Sequence, residues 1–403
     1  MTNRWNVLAL LFCVRVTMAV QFQAVAALSP ELMNQYGIGL ADIGLLLGLY
    51  LSPGIIIALP GGAIAQWFGD KRTVAVGMVL MLLGSLMTLF LTSWEAQIFG
   101  RVLAGTGGVV LNVLMTKMIA DWFASDKLAT AMGIFVLSWP MGIAAALVVL
   151  PIVADGFGMF TAQTLVSISI AAGLIALLAL YHDAPEGKPA PTSEKPEAQP
   201  VPKSKLAGKV LLCLSLAGVI WGLYNAALAM IFGFGPAVLI ERDWGSTAAS
   251  SATSIVLWLT AVSLPLGGVI ADRVNRGQLV LFVGLVLFAT GLVIVPLTSH
   301  IIPAFIWLGL ISGLAAGPIM SLPSMVLTPE NRARGMGLFF TIYYIAIFSG
   351  PTAGGLVADG FGTADAAIYL GCIMLVMCMA MQGAFLMLHR QMAFDQSSNS
   401  AQK

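Results

Sequence analysis

Long apolar runs separated by short polar breaks fill nearly the whole chain. A membrane-spanning helix needs about 20 mostly apolar residues. Twelve stretches meet that length, at 5–28, 42–66, 73–92, 96–119, 128–153, 160–181, 209–239, 248–271, 278–298, 303–327, 333–358 and 364–390. The strand alternation of a membrane barrel, with about 10 residues per crossing, appears nowhere. The pattern therefore predicts an all-α integral membrane protein with twelve transmembrane helices. One polar break differs from the rest: residues 183–208 carry prolines at 185, 189, 191, 196, 200 and 202 among Glu and Lys. Such a segment has too little apolar surface to fold and reads as an extended tether. It divides the chain into a six-helix half at 1–182, a proline-rich linker at 183–208, a second six-helix half at 209–390 and a disordered tail at 391–403.

Composition agrees: 59% of the residues are hydrophobic and only 9% are charged, so lipid must be the solvent for the excess apolar surface. The formal net charge of +1 conceals an asymmetry. With the N-terminus in the cytoplasm, the basic residues at 4, 71, 72, 127, 188, 195, 203, 205, 209, 273, 276, 332, 334, 390 and 403 all face inward, whereas Arg242 lies in an outer loop. The positive-inside rule then places both termini in the cytoplasm of a bacterial inner membrane. Residues 1–28 imitate a secretory signal, but the run is too long, Arg15 interrupts it, and its removal would leave eleven spans. Cys13, Cys213, Cys372 and Cys378 lie inside apolar spans without ligand or disulfide spacing, and His182, His300 and His389 fall in loops or at span ends. No metal and no cofactor is expected.

Two breaks repeat. Gly62-Ala-Ile-Ala-Gln66-Trp67-Phe-Gly69-Asp70-Lys71-Arg72 follows the second span, and Gly268-Val-Ile-Ala-Asp272-Arg273-Val-Asn-Arg276 follows the eighth. Ala129-Thr-Ala-Met-Gly133-Ile-Phe135 recurs as Ala333-Arg-Gly-Met-Gly337-Leu-Phe339 at nearly the same offset. A short basic turn tying one long helix to the next, in each of two tandem halves, resembles the major facilitator superfamily of transporters. The resemblance covers nearly the whole chain. It implies two pseudo-symmetric six-helix halves, with Gly62, Asp70, Arg72, Gly268, Asp272, Arg273 and Arg276 in the inner gating turns. The family's Asp-Arg stands intact as Asp272-Arg273, but the first half has Gln66-Trp67 in its place, so either Asp70 substitutes or the second copy dominates. In the fourth span, Arg101-Val-Leu-Ala-Gly105-Thr-Gly107-Gly108 looks like the superfamily motif in which the arginine serves structure and coupling. Here the structural role is favoured for Arg101, with Gly105 admitting a neighbouring backbone.

Ionisable residues inside a membrane are functional candidates by default. All 18 carboxylates lie in loops or at span ends, whereas Arg15 sits ten residues, or about 15 Å, along the first helix from Trp5 and so near mid-bilayer. One reading makes Arg15 an anion site facing a central cavity. The other makes it a structural arginine bonded to helix carbonyls or to Gln21, Gln23 or Asn225. Gln23 lies about 80° from Arg15 around the helix and is expected on the same wall. Asn112 shares a stripe with Arg101 and Gly105. Trp221, Tyr224 and Asn225 form an i, i+3, i+4 face at mid-depth of the seventh span. Beyond them, Gly233-Phe-Gly235-Pro236 is expected to break that helix. Trp139, Trp258, Tyr343 and Tyr344 are further candidate cavity walls.

Function classes narrow accordingly. A membrane enzyme would need clustered acids or histidines at depth, which are absent. A receptor would carry an appended soluble module, for which no loop has room. Ser138-Trp139-Pro140-Met141-Gly142 and Gly335-Met-Gly-Leu-Phe-Phe-Thr341-Ile-Tyr-Tyr344 look like the superfamily branch associated with cyanate and nitroimidazole transport. Nitrate porters would carry arginines in spans two and eight, which have none. The expectation is a monomeric secondary transporter working by alternating access on a small anion, with a coupling proton and the lipid bilayer as its partners and no nucleic acid. Proton-driven efflux of drugs or toxic small molecules is the alternative, favoured by Gly350-Pro351-Thr-Ala-Gly354-Gly355.

Overall fold

The computed structural model describes residues 3–57, 69–123, 127–182, 208–327 and 332–401. Among these, twelve helices are long and apolar enough to cross a membrane. They are α1 (Arg4–Ala27), α2 (Leu40–Ile57), α3 (Asp70–Phe90), α4 (Trp94–Trp122), α5 (Leu128–Phe157), α6 (Met159–Leu180), α7 (Gly208–Ile240), α8 (Ser246–Val274), α9 (Gly277–Leu297), α10 (Ile301–Met325), α11 (Arg332–Phe361) and α12 (Asp365–Ala401). A short helix, Ser29–Tyr36, joins α1 to α2 and is closed by Gly37 in the left-handed conformation, at φ 63°. Gly62 and the linker at 183–207 lie outside the described residues. The tail expected to be disordered from 391 is helical as far as Ala401, because no Gly or Pro after Gly383 stops α12.

The two halves meet along three helix pairs: α2 on α11, α5 on α8, and α1 on α7. On the face opposite the chain termini the first two pairs are locked together. A Cβ added at Gly44 would lie 2.1 Å from the Pro351 carbonyl oxygen, and one at Gly48 would lie 2.3 Å from that of Phe348. Only glycine lets these two backbones touch. Asp359 of α11 then caps the first turn of α2, accepting from the backbone N–H groups of Leu40 and Ala41 at 2.9 Å each. A carboxylate suits that place, because the first N–H groups of a helix lack intrahelical partners. On the second pair, the Thr247 hydroxyl of α8 donates to the Asp155 carboxylate at the end of α5. The interface is thus sealed at one end.

The seventh helix departs from the expectation. It runs unbroken from Gly208 to Ile240 with Pro236 inside it. Proline has no N–H for the carbonyl four residues back, which is that of Phe232. The Gln23 side chain of α1 supplies the missing donor, Nε2 to Phe232 O at 2.7 Å. A side chain from the opposite half therefore completes the α7 ladder, and the helix need not break. Replacing Gln23 with Leu should cost about 1–3 kcal/mol by leaving that carbonyl unpaired. Adding Pro236→Ala, which restores the backbone donor, should recover most of the loss. Thermal unfolding of the two single variants and the double variant checks this. Purely additive losses would contradict it.

Candidate functional site

Between the halves, a cavity is lined by α1, α2, α4, α5, α7, α8 and α11. It brings together eight of the residues singled out by sequence: Arg15, Asn112, Trp139, Trp221, Tyr224, Asn225, Tyr343 and Tyr344. The ninth, Gln23, does not reach it. Two turns beyond Arg15, it is fully buried against Phe232 as described, so helical arc alone misplaced it. Trp258 also stays away, at 41% exposed on the outer surface of α8.

Arg15 projects from α1 toward α5. Nη1 donates to the Phe135 carbonyl at 3.0 Å and lies 3.5 Å from the Ser138 hydroxyl, while the guanidinium rests over the Phe135 ring, 4.6 Å from its centroid. These contacts fix the plane of the group but use one edge of it. Nε is buried without a partner, and both hydrogen bonds of Arg15 to described residues run from Nη1. Among the described residues, no Asp or Glu lines the cavity. The Nε–Nη2 edge is the side of a guanidinium that meets a carboxylate or phosphate with two parallel hydrogen bonds.

The rest of the cavity is aromatic and largely self-satisfied. Trp221 and Tyr224 stack at 5.6 Å, and Tyr343 lies 6.2 Å from Trp221 and 5.0 Å from Tyr344. Across the cavity, Phe22 contacts Trp139 at 5.2 Å and Phe232 at 5.9 Å. Tyr224 directs its hydroxyl out of the cavity, donating to Ser312 O at 2.6 Å. Thr260 bonds Val256 O at 2.6 Å and the Ser312 hydroxyl at 2.7 Å. Asn225 gives Nδ2 to Trp221 O at 2.8 Å, and Asn112 keeps a buried Oδ1 without a partner. Sequence reasoning missed Met18, Phe22, Phe232 and Thr260. Met18 and Phe22 were within reach, since they follow Arg15 at i+3 and i+7 on one face. Thr260 and Phe232 carried no local signal.

Arg101 lies apart from the cavity. It is 4% exposed and donates to three backbone carbonyls, Leu46 at 3.1 Å, Gln21 at 2.8 Å and Phe22 at 2.9 Å, with its guanidinium 4.7 Å from the Tyr50 ring centroid. It pins α1, α2 and α4 together. Gly105 allows this, because a Cβ there would lie 2.0 Å from Tyr50 O.

On the termini face, Asp70 pairs with Lys117 at 2.5 Å, and Lys117 also holds Asp121 at 3.0 Å. Both pairs are partly exposed and stay within the first half, so they contribute little to stability. Arg72 is exposed at the start of α3, beside Lys71, which closes the end of α6 through the Leu178 and Tyr181 carbonyls at 2.9 and 2.7 Å. In the second half, Gly268 packs beside Gly317, and Asp272, Arg273 and Arg276 are exposed. Asn275 makes the turn in the left-handed conformation, at φ 50°. Asp272 has no ion-pair partner among the described residues. We expect Asp272→Asn to slow transport several-fold and Gln66→Ala to leave it near wild type, at equal expression. Equal effects would contradict this.

Twelve apolar helices in two halves around a central polar-tipped aromatic cavity define a multi-pass membrane transporter. The Major Facilitator Superfamily model matches residues 10–245 and 210–401, and the chain belongs to that family. It is 26% identical to the 2-nitroimidazole transporter of Escherichia coli over 396 residues, 94% of this chain and 95% of that protein. It is 22% identical to the hexuronate transporter of Bacillus subtilis over 68% of this chain and 66% of that protein. A match at 25% identity to an uncharacterized transporter of Buchnera aphidicola spans 32% of this chain and 34% of that protein. The fold is shared with a bacterial homolog of the human lysosomal transporter Spinster, at a TM-score of 0.73 and 15% identity over 96% of this chain and 97% of that one. The match to the nitroimidazole transporter supports the branch read from Ser138–Gly142 and Gly335–Tyr344.

Proposed function

We propose that the chain is a monomeric secondary transporter that moves a small anion across the bacterial inner membrane by alternating access of its two halves to the central cavity. The observation that carries this reading is a cavity-lining Arg15 whose Nε has no partner and which faces no Asp or Glu among the described lining residues. A buried, uncompensated cation is costly, and a substrate anion is the partner that relieves the cost. The contacts that seal the α2–α11 and α5–α8 ends on the face opposite the termini fit one of the two states such a cycle needs. Coupling to a proton then requires no cavity carboxylate, because the proton can travel on the substrate. Outside the spans, Glu31 is an acid to compare: burial first, then the charge of Asp155, holds its carboxyl above the ordinary range.

Uptake into membrane vesicles tests the reading, using a panel of small anions with and without a proton gradient. Saturable transport of an anion is expected. Transport of a cation with no anion competing would overturn it, and outward movement of neutral drugs would favour efflux instead. Sidedness follows from the basic residues, and reporter fusions after Lys205 and Arg390 should both report cytoplasm. A periplasmic signal from either would refute that orientation.

A further inference from the structure

Resting on the anion reading, the chemistry of the cavity also narrows the anion. The cavity presents one cationic group, so it balances one negative charge. A second carboxylate on the same substrate would be buried without a counter-charge. Tyr224, Thr260 and the Asn225 Nδ2 group are already bonded within the protein, and the polar atoms left on the cavity walls are mostly the tips of aromatic rings, those of Trp139, Trp221, Tyr343 and Tyr344, with the Asn112 amide. A polyhydroxylated sugar acid would set hydroxyls on every side of its ring against the faces of Phe22, Phe232 and Ile347, which offer no hydrogen bond. Flat rings, in contrast, meet flat rings here. Trp139 with Phe22 on one wall, and Trp221 with Tyr343 on the other, are partly exposed or cavity-lining aromatics that favour stacked or edge contact.

We infer that the substrate class is an aromatic monocarboxylate, with its carboxylate on the Arg15 guanidinium and its ring between the Trp139 and Trp221 walls. Sugar acids fit the apolar faces less well, and dicarboxylates bring a second charge that Arg15 does not balance.

The test is equilibrium binding of radiolabelled benzoate to the purified full-length protein, with unlabelled competitors. Benzoate should bind saturably. Benzamide, its neutral isostere, should compete at least tenfold more weakly, and glucuronate and phthalate should not compete at comparable concentrations. Cyclohexanecarboxylate, equal in charge but not flat, should compete several-fold more weakly than benzoate. Arg15→Gln should abolish the preference for benzoate over benzamide, and Trp139→Leu should weaken benzoate several-fold. The competitor panel needs no variant, so a folding defect cannot decide the result. If glucuronate, phthalate or nitrate binds in an Arg15-dependent way as well as or better than benzoate, the aromatic assignment falls and the anion reading stands. If no anion binds in an Arg15-dependent way, both fall.

Discussion

Arg15→Ala abolishes saturable anion transport while the protein still folds and inserts: this is the largest functional effect expected of any single substitution. A bidentate guanidinium contact with a carboxylate contributes about 1.5–3 kcal/mol as a charge-assisted bond, or about ten- to a hundredfold in affinity. The fold survives because Arg15 is not the sole donor to its carbonyl partner. Ser138 Oγ also donates to Phe135 O, at 2.5 Å. Arg15→Lys keeps the charge and loses the planar fork, so it should recover only part of the transport. Initial rates in proteoliposomes, at matched protein incorporation, measure both. Wild-type transport by Arg15→Ala would reduce Arg15 to a packing residue.

Arg101→Ala is expected to have the opposite character, with a large loss of stability. Its guanidinium ties Leu46 of α2 and Gln21 and Phe22 of α1 to α4, with Tyr50 beneath it. Truncation removes three charge-assisted hydrogen bonds and leaves a void where the long side chain lay. Because helical carbonyls keep their intrahelical donors, the loss is less than three full bonds, and we expect at least about 3 kcal/mol. Arg101→Lys should be intermediate, since an ammonium cannot span three acceptors on two helices. The apparent unfolding temperature and the fraction recovered as a monodisperse peak report the effect. A variant with normal stability and no transport would move Arg101 into the transport machinery.

The two arginines also show what a sequence reveals. Both were visible as charges inside apolar runs, and the glycines after Arg101 pointed to close helix packing. The twelve spans were legible because lipid demands long apolar runs, and that demand is local in sequence. The Trp221, Tyr224 and Asn225 face was legible because i, i+3, i+4 spacing fixes a helical stripe. What stayed hidden depends on partners from the other half. Gln23 has a neighbour in Phe232 only because Pro236 empties a carbonyl on α7. For the same reason Gly233 and Gly235 sit inside a continuous helix instead of at a break. Asp359, the acid that caps α2, read in sequence as an ordinary span-end carboxylate.

We propose that the Arg15 guanidinium supplies the charge that the substrate meets. This is tested most directly by calorimetric titration of purified wild type and Arg15→Gln with a transported carboxylate and its carboxamide isostere. Wild type should favour the carboxylate by about ten- to a hundredfold, and Arg15→Gln should bind the two alike. An unchanged preference in Arg15→Gln would contradict the account.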